Sequence, residues 1–218
     1  MTAYFISGLG ADRRIFKHLQ LPSGIILKYI DWIEPEKNES LQDYCKRLSA
    51  QIDAEDDFIL IGLSFGGIVA IEINKILPSK LVVLISTVSQ KTELPVLFRI
   101  INRLKIHKIL PSTFYKWHNI FINWYFGAKT KEEINLLHEF LKSSSKSYLK
   151  WSVNQVLNWN NVERPSNVFH IHGTADKIFP CSRIQADVKV TGGDHLMVYD
   201  MPSQISKALS EKINSVSS

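Results

Sequence analysis

Short runs of apolar residues alternate along the chain with stretches in which apolar residues recur at helical spacing. This alternation is typical of a parallel β-sheet covered by helices. Because the runs are almost continuously apolar, we expect strands that are buried on both faces. The predicted strands are Ala3 to Ile6, Ile25 to Ile30, Phe58 to Ile61, Leu81 to Ile85, Val168 to Ile171 and the shorter Val188 to Val190.

Helices are predicted between these strands. Ser40 and Asp43 form a capping pair at the start of one helix, after which apolar residues recur at helical spacing. The stretch 65–77 is apolar almost all round, and a last helix starts after Pro202. A further amphipathic helix is expected early in the chain, around His18.

Residues 88–161 interrupt this alternation of predicted strands and helices, because they contain several helical patterns and no strand candidate. About half of the aromatic residues of the chain lie there. We therefore predict that residues 88–161 form a helical cap over the sheet, inserted after the fourth strand, and that residues 1–87 and 162–218 form the core. The alternative is an ordinary helical subdomain with a tryptophan-rich core.

The composition excludes a disordered chain, because 45% of the 218 residues are hydrophobic and 22% are charged. Two cysteines are too few for a disulfide framework, so a reducing, cytoplasmic location is expected. No secretory signal and no membrane span are expected. The net charge of +5 is mild, and without a recognition motif it predicts no nucleic-acid partner.

One glycine-flanked serine, in Gly62-Leu63-Ser64-Phe65-Gly66, follows a buried strand and opens a helix. Serine is an effective nucleophile only when its hydroxyl is held clear of the backbone and beside a base. A sharp turn from strand to helix provides that exposure, and the flanking glycines let the chain pass itself closely. Ser64 is therefore the predicted nucleophile; the alternative is a tight glycine turn with an incidental serine.

A base and an acid are predicted after the later strands. His195 lies between a glycine turn and the final helix, and Asp176 lies in the loop after the fifth strand, where it can orient the imidazole. His172 ends a strand, but no acid is expected to orient it. Asp187 precedes its strand, and Asp194 is too close to His195 in sequence to face the ring.

The oxyanion that forms during attack on a carbonyl needs two backbone N–H donors. One is predicted from Phe65 and the other from Leu9, in the glycine-containing loop after the first strand. Arg13, beside that loop, could hold a substrate carboxylate; the alternative is a solvated arginine behind a helix cap formed by Asp12. Aromatic residues of the cap are expected to form an apolar substrate pocket. The predicted pocket residues are Trp117, Phe121, Trp124, Trp151 and Arg13.

Residues 91–116 form a basic segment within the predicted cap, because they contain six Lys and Arg residues and one acid, Glu93. This charge could steer an anionic substrate or contact a phosphate or membrane surface. The alternative is the solvated face of an amphipathic helix. The basic residues are Lys91, Arg99, Arg103, Lys105, Lys108 and Lys116.

These motifs resemble the signatures of the α/β-hydrolase superfamily, in which nucleophile, acid and base follow one another along the chain in this order. The resemblance covers residues 3–87 and 165–214. Two features depart from it: Ser7-Gly8 stands where the family commonly has His-Gly, and the chain starts at what corresponds to the family's third strand. The matching motifs are the elbow around Ser64, Gly173-x-x-Asp176 with Pro180 four residues later, and Gly193-x-His195-x-Met197 ahead of Pro202.

The resemblance implies an α/β-hydrolase fold: six mostly parallel strands in the order 2-1-3-4-5-6, flanked by helices. It also implies a serine hydrolase that cleaves a small to medium hydrophobic ester through an acyl-enzyme, with no cofactor and no metal. Thioesterase, lyase, haloperoxidase and carbon–carbon hydrolase chemistry are alternatives on the same residues. The Ser-Phe-Gly-Gly and Asp-His-Leu-Met stretches further resemble the branch of small methyl esterases and hydroxynitrile lyases. A non-catalytic ligand-binding protein is the alternative of another class.

Overall fold

The computed structural model describes residues 1–105 and 120–217. Within them, six parallel strands form one sheet in the order β2-β1-β3-β4-β5-β6, which confirms the predicted topology. Each predicted strand is present, with ends that differ by at most two residues. The strands are β1 (Thr2–Ile6), β2 (Ile26–Ile30), β3 (Phe58–Leu63), β4 (Leu81–Ile85), β5 (Val168–Gly173) and β6 (Val188–Val190).

Helices precede, connect and follow the strands. None in the described ranges combines the length and the apolarity that crossing a membrane requires. The capping pair predicted for the first helix is present, because the side chain of Ser40 accepts the N–H of Asp43. The α-helices in the described ranges are α1 (Leu41–Leu48), α2 (Phe65–Ile76), α3 (Val96–Arg103), α4 (Ile120–Phe126), α5 (Lys131–Ser143), α6 (Lys146–Asn158), α7 (Met197–Asp200) and α8 (Pro202–Ser217).

The amphipathic helix predicted around His18 is wrong. A single 3-10 turn, Arg13–Phe16, lies there instead, capped by the side chain of Asp12. The chain then turns toward β2 before a second helical turn forms. His18 follows the turn and packs the edge of its ring against Tyr199, with ring centroids 4.8 Å apart.

Side chains of the central strands alternate between two hydrophobic cores, one on each face of the sheet. On β3, Phe58 and Leu60 join the core beneath α1 and α2, whereas Ile59 and Ile61 join the core beneath α8. This period of two follows from the pleat of a strand. Because helices exclude water from both faces, both sets of positions are apolar, and the runs in the sequence are continuous.

The second strand departs from the predicted burial on both faces. Ile26 is 57% exposed and Leu27 is 37% exposed, while Ile30 at the end of the strand is buried. The reason is that β2 forms the edge of the sheet. An apolar run therefore identified the strand, but it did not show that the strand lies at the edge.

The described residues between 88 and 161 contain helices α3 to α6 and no strand. Leu149 and Val156 of α6 join the core of the α1 and α2 face, whereas Leu137 and Phe140 of α5 join the opposite core. The hydroxyl of Ser144, between these helices, donates to the carbonyl of Gly10 in the loop after β1. These helices therefore pack at the carboxyl end of the sheet.

Candidate active site

Ser64 forms the turn between β3 and α2 with an unusual backbone conformation, φ 53° and ψ −121°. A positive φ is uncommon for a residue other than glycine and needs support from its surroundings. The neighbouring strand supplies that support. The N–H of Ser64 donates to the carbonyl of Ile85 at 3.0 Å, and the hydroxyl of Thr87 donates to the carbonyl of Ser64 at 2.6 Å.

The glycines on either side of Ser64 allow two close backbone approaches. A Cβ atom on Gly62 would lie 2.4 Å from the carbonyl oxygen of Gly66, and a Cβ atom on Gly66 would lie 2.2 Å from the carbonyl oxygen of Ile6. Both distances are too short for any side chain. The start of α2 therefore packs directly on β3 and on the end of β1.

The structure brings Ser64, His195 and Asp176 together at the carboxyl ends of β3, β5 and β6. The hydroxyl of Ser64 lies 2.9 Å from Nε2 of His195, and Nδ1 of that ring lies 2.9 Å from Oδ2 of Asp176. Asp176 and His195 are buried, whereas Ser64 is partly accessible. This arrangement can pass a proton from the hydroxyl to the ring while the carboxylate holds the ring in place.

Both oxygens of the Asp176 carboxylate have hydrogen-bond partners. Oδ1 accepts the N–H groups of Ile178 and Phe179 at 2.9 and 3.0 Å, which leaves Oδ2 for His195. Burial raises the pKa of this carboxyl, but the Coulomb interaction with His195 and the hydrogen bond from that ring outweigh burial. The net pKa lies below the ordinary value, so Asp176 is ionised at neutral pH.

A second histidine, His172, lies close to the same acid, although no acid was expected to orient it. Nε2 of His172 lies 3.6 Å from Oδ2 of Asp176 and donates a hydrogen bond to the carbonyl of Phe179 at 2.8 Å. Burial lowers the pKa of His172, and it lowers the pKa of the adjacent His170 well below its usual value. Both rings are therefore neutral near pH 7. Sequence spacing missed this contact, because it depends on how the loop after β5 folds back.

The loop after β1 lies directly beside the nucleophile. A Cβ atom on Gly8 would lie 3.5 Å from Cβ of Ser64. The hydroxyl of Ser7 donates to the carbonyl of Ala11 at 2.6 Å, and Nε1 of Trp32 donates to Ser7 Oγ at 2.9 Å and to the carbonyl of Gly8 at 3.2 Å. Trp32 therefore braces the loop. No motif predicts this role, since Trp32 follows the next strand.

The two predicted oxyanion donors belong to segments that adjoin Ser64. Phe65 is the first residue of α2, so its N–H has no carbonyl partner within the helix. Leu9 lies in the loop that Trp32 braces. Both residues line the same cavity as Ser64 and His195.

This cavity, of about 360 Å³, opens beside Ser64 and is lined almost entirely by apolar side chains. Each of the helices α3 to α6 contributes to its wall, for example through Phe98, Phe126, Leu137 and Val153. Its acidic lining residue, Glu133, is held by a capping box with Thr130 at the start of α5. The cavity therefore suits an apolar ligand.

The predicted pocket residues require correction, because those that the structure describes lie away from the cavity wall. Phe121 and Trp124 face outward, with 76% and 62% of their surface exposed. Trp151 packs against Tyr44 with ring centroids 4.4 Å apart and donates through Nε1 to the carbonyl of Glu39. Its indole N–H needs a partner when buried, which favours this position over an apolar cavity. Trp117 lies outside the described residues.

Arg13 also lies away from this cavity. It is exposed and contributes to the wall of a second, more polar cavity of about 300 Å³ on the other side of the loop after β1. The alternative given for Asp12 agrees with the structure, because its carboxylate accepts the N–H of Arg14 at 3.0 Å. The basic residue that pairs with Asp12 is Arg14.

The other two acids near the predicted base have structural partners. Asp194 accepts the N–H of Leu196 and forms an ion pair with Lys129 at 2.6 Å. Asp187 pairs with Arg164 and accepts the N–H of His170. In the part of the chain that the structure describes, no group of three or more His, Cys, Asp or Glu side chains is arranged to hold a metal ion.

No protein-family model matches the sequence. No curated protein matches it either. Many solved structures do match in three dimensions.

One similar structure is that of a carboxylesterase of the thaumarchaeon Nitrososphaera gargenis, with a TM-score of 0.69 and 17% identity over 99% of this chain and 90% of that chain. Another is an esterase of Thermogutta terrifontis, with a TM-score of 0.66 and 13% identity over 99% and 90% of the two chains. A hydrolase of Pseudomonas aeruginosa has a TM-score of 0.66 and 16% identity over 95% and 88%.

These structures share the α/β-hydrolase fold, and the chain described here has that fold. The fold class predicted from the sequence is thereby confirmed. Because one fold supports many reactions, identities this low say nothing of the substrate.

Proposed function

We propose that this chain is a serine hydrolase that cleaves a small to medium hydrophobic carboxylic ester through an acyl-enzyme intermediate. The observation that carries the proposal is the hydrogen-bonded series from Ser64 through His195 to Asp176, with both links at 2.9 Å, beside an apolar cavity. A nucleophile next to a base that is oriented by a third group is the arrangement that acyl transfer requires.

In the first half of the reaction, Oγ of Ser64 attacks the ester carbonyl carbon while its proton moves to Nε2 of His195. The carbonyl electrons move onto the oxygen, and the N–H groups of Leu9 and Phe65 stabilise the oxyanion. The intermediate then collapses, the bond to the alcohol oxygen breaks, and the alcohol leaves with the proton from His195. An acyl group remains on Ser64.

In the second half, His195 takes a proton from a water molecule, which attacks the acyl carbon. Collapse of this intermediate breaks the bond to Oγ, and the proton returns to Ser64 as the carboxylic acid departs. Asp176 keeps its charge throughout and stabilises the protonated ring. None of these steps requires a cofactor.

The apolar lining of the cavity supports the proposal that the substrate is hydrophobic. Apolar side chains from α3 to α6 form much of its wall, and transfer of an alkyl or aryl group from water into such a site is favourable. We further propose that residues 88–161 act as a cap that selects the substrate, while residues 1–87 and 162–218 supply the reacting groups. A cytoplasmic location is also proposed, supported by the unpaired thiols of Cys45 and Cys181.

A fluorophosphonate probe tests for the activated nucleophile. The wild-type protein is expected to be labelled at Ser64, and Ser64→Ala is expected to lose both the label and ester turnover. Asp176→Asn keeps the size of the side chain but favours the wrong imidazole tautomer, so kcat is expected to fall about 10⁴-fold. A wild-type protein that stays unlabelled would instead indicate a non-catalytic binding protein.

The substrate class is tested on the same preparation. Esters of graded acyl length are assayed beside coenzyme A thioesters of the same acyl groups. We expect kcat/KM to rise with acyl length until the cavity is filled, and to be higher for esters. A consistent preference for thioesters would reassign the chain as an acyl thioesterase without changing the roles of Ser64, His195 and Asp176.

A further inference from the structure

Exposed apolar side chains concentrate on two helices of the segment 88–161. Of the eleven large apolar side chains that are exposed in the described ranges, seven lie on α3, at its end or on α4, with 45% to 77% of their surface in water. A concentration of this kind marks an interaction surface. The seven are Val96, Leu97, Ile100, Leu104, Ile120, Phe121 and Trp124.

Helix α3 is apolar on two sides. Val96, Ile100 and Leu104 follow one another at four-residue spacing and form a stripe that faces water. Phe98 and Ile101 lie on another side of the helix and line the cavity beside Ser64. The helix therefore separates an apolar cavity from an exposed apolar surface.

Helix α4 has the same arrangement. Phe126 lines the cavity, whereas Trp124 faces outward. Both helices also contact the loop that carries the proposed catalytic acid. The ring of Phe98 packs against Phe179, with centroids 6.0 Å apart, and Nζ of Lys177 lies 4.6 Å from the ring centroid of Trp124. Helices α3 and α4 therefore lie beside the same loop at 177–179.

The charged side chains next to the exposed stripe on α3 are all basic. Arg99, Arg103 and Lys105 are exposed, and the sequence from Leu94 to Lys105 contains no acid. Of the other three basic residues predicted for this segment, Lys91 donates to Oδ1 of Asn160 at 2.7 Å, and those at 108 and 116 lie outside the described residues. Apolar side chains next to arginine and lysine are typical of helices that lie on anionic membranes, and tryptophan favours the same interface.

A second copy of the chain fits this surface less well. A two-fold dimer places the same patch of both copies in contact, which would bring Arg99 and Arg103 close to their own equivalents. An anionic lipid surface instead neutralises these charges and accepts the apolar stripe. The charge therefore favours lipid over self-association.

We propose that α3 and α4 dock on an anionic lipid surface, with Leu97, Ile100 and Trp124 among the headgroups and Arg99 and Arg103 next to the phosphates. Docking would hold the cavity close to the bilayer. That it delivers hydrophobic esters to the cavity rests on the proposed function, whereas docking itself does not.

The test is co-sedimentation of the full chain with vesicles of phosphatidylcholine, or of equal parts phosphatidylcholine and phosphatidylglycerol. We expect binding to the anionic vesicles only, and binding that weakens with added salt. Arg99→Gln/Arg103→Gln should bind about 30-fold more weakly. Leu97→Ser/Ile100→Ser should also weaken binding, because it removes apolar surface.

A matched control removes exposed apolar side chains from a distant surface. Ile26→Ser/Leu27→Ser, on the edge strand β2, should bind vesicles as the wild type does. Near-UV and far-UV circular dichroism spectra show that each variant is folded and should match those of the wild type, so this control does not depend on the proposed function. Ser64→Ala should bind vesicles normally, so failure of docking and failure of catalysis are measured separately.

Three outcomes would overturn the proposal. The first is equal binding, or no binding, to the two kinds of vesicle. The second is binding that Arg99→Gln/Arg103→Gln leaves unchanged. The third is a concentration-dependent dimer in sedimentation velocity that Leu97→Ser/Ile100→Ser abolishes, which would assign this face to a second copy of the chain.

Discussion

Replacement of Gly66 by alanine tests how rigidly the nucleophile is coupled to the loop after β1. A Cβ atom there would lie 2.2 Å from the carbonyl oxygen of Ile6 and 2.3 Å from that of Ser7. In folded proteins, about nine in ten contacts between a Cβ atom and a neighbouring heavy atom are longer than 3.4 Å. The start of α2 and the end of β1 would therefore have to separate by about 1 Å, because close-packed interiors leave no space to absorb the methyl group.

Both obstructing atoms belong to the backbone, so no side-chain rotation relieves the overlap. Overpacking of this kind costs about 1–3 kcal/mol, and we expect a value near the upper end because Ile6 is paired with strands on both sides. A displacement of about 1 Å between nucleophile and oxyanion donors is expected to lower kcat about 100-fold. Stability and turnover should therefore both fall.

The measurements are urea denaturation and turnover of a short ester. Gly24→Ala is the control: Gly24 has φ +86°, but nothing lies within 4 Å of its would-be Cβ. It should lose about 1–2 kcal/mol through backbone strain and keep the turnover of the wild type. Folded Gly66→Ala protein with undiminished kcat would refute the coupling.

Three further changes test the surroundings of the site. Because burial lowers the pKa of His170 well below its usual value, the unfolded chain binds a proton at this ring below about pH 6.5 that the folded chain does not. The contribution of His170 to stability is therefore complete above that pH and falls as the pH decreases, with a slope that approaches about 1.4 kcal/mol per pH unit. His170→Phe should reduce that slope in urea titrations, and an identical slope would count against the burial. His172→Leu removes the donor to Phe179 and should lower kcat more than it changes KM, whereas His172→Gln should restore turnover; equal losses in both variants would indicate a purely structural role. Trp32→Phe removes the donor to Ser7 and to the carbonyl of Gly8, so stability should fall by about 1 kcal/mol and kcat should fall as well; unaltered turnover would show that these hydrogen bonds are dispensable for catalysis.

The strands and the proposed catalytic side chains were predictable because each depends on local signals. Apolar runs bounded by glycine or polar residues mark the strands, and parallel strands bring their carboxyl ends to one edge. Ser64, Asp176 and His195 each follow a strand, so a sheet of this order brings them together.

The cavity wall was not predictable in the same way. Helical spacing shows that α3 has apolar positions, but it does not show which of them face a cavity and which face water. Aromatic side chains of the predicted cap do line the cavity, as Phe126 does, but the described tryptophans that were predicted there do not. Trp151 donates to the carbonyl of Glu39, and Trp159 donates to the buried carboxylate of Glu72, so both serve the protein interior.

Strands β4 and β5 lie side by side in the sheet, although the whole segment 86–167 separates them along the chain. A growing polypeptide consequently contains Ser64 and all of β4 long before it contains His195. Because His195 follows β6, the hydroxyl of Ser64 lacks the proton acceptor that the proposed function assigns to it until both β5 and β6 have joined the sheet. On the proposed function, a chain that ends before His195 is therefore expected to resist acylation at Ser64.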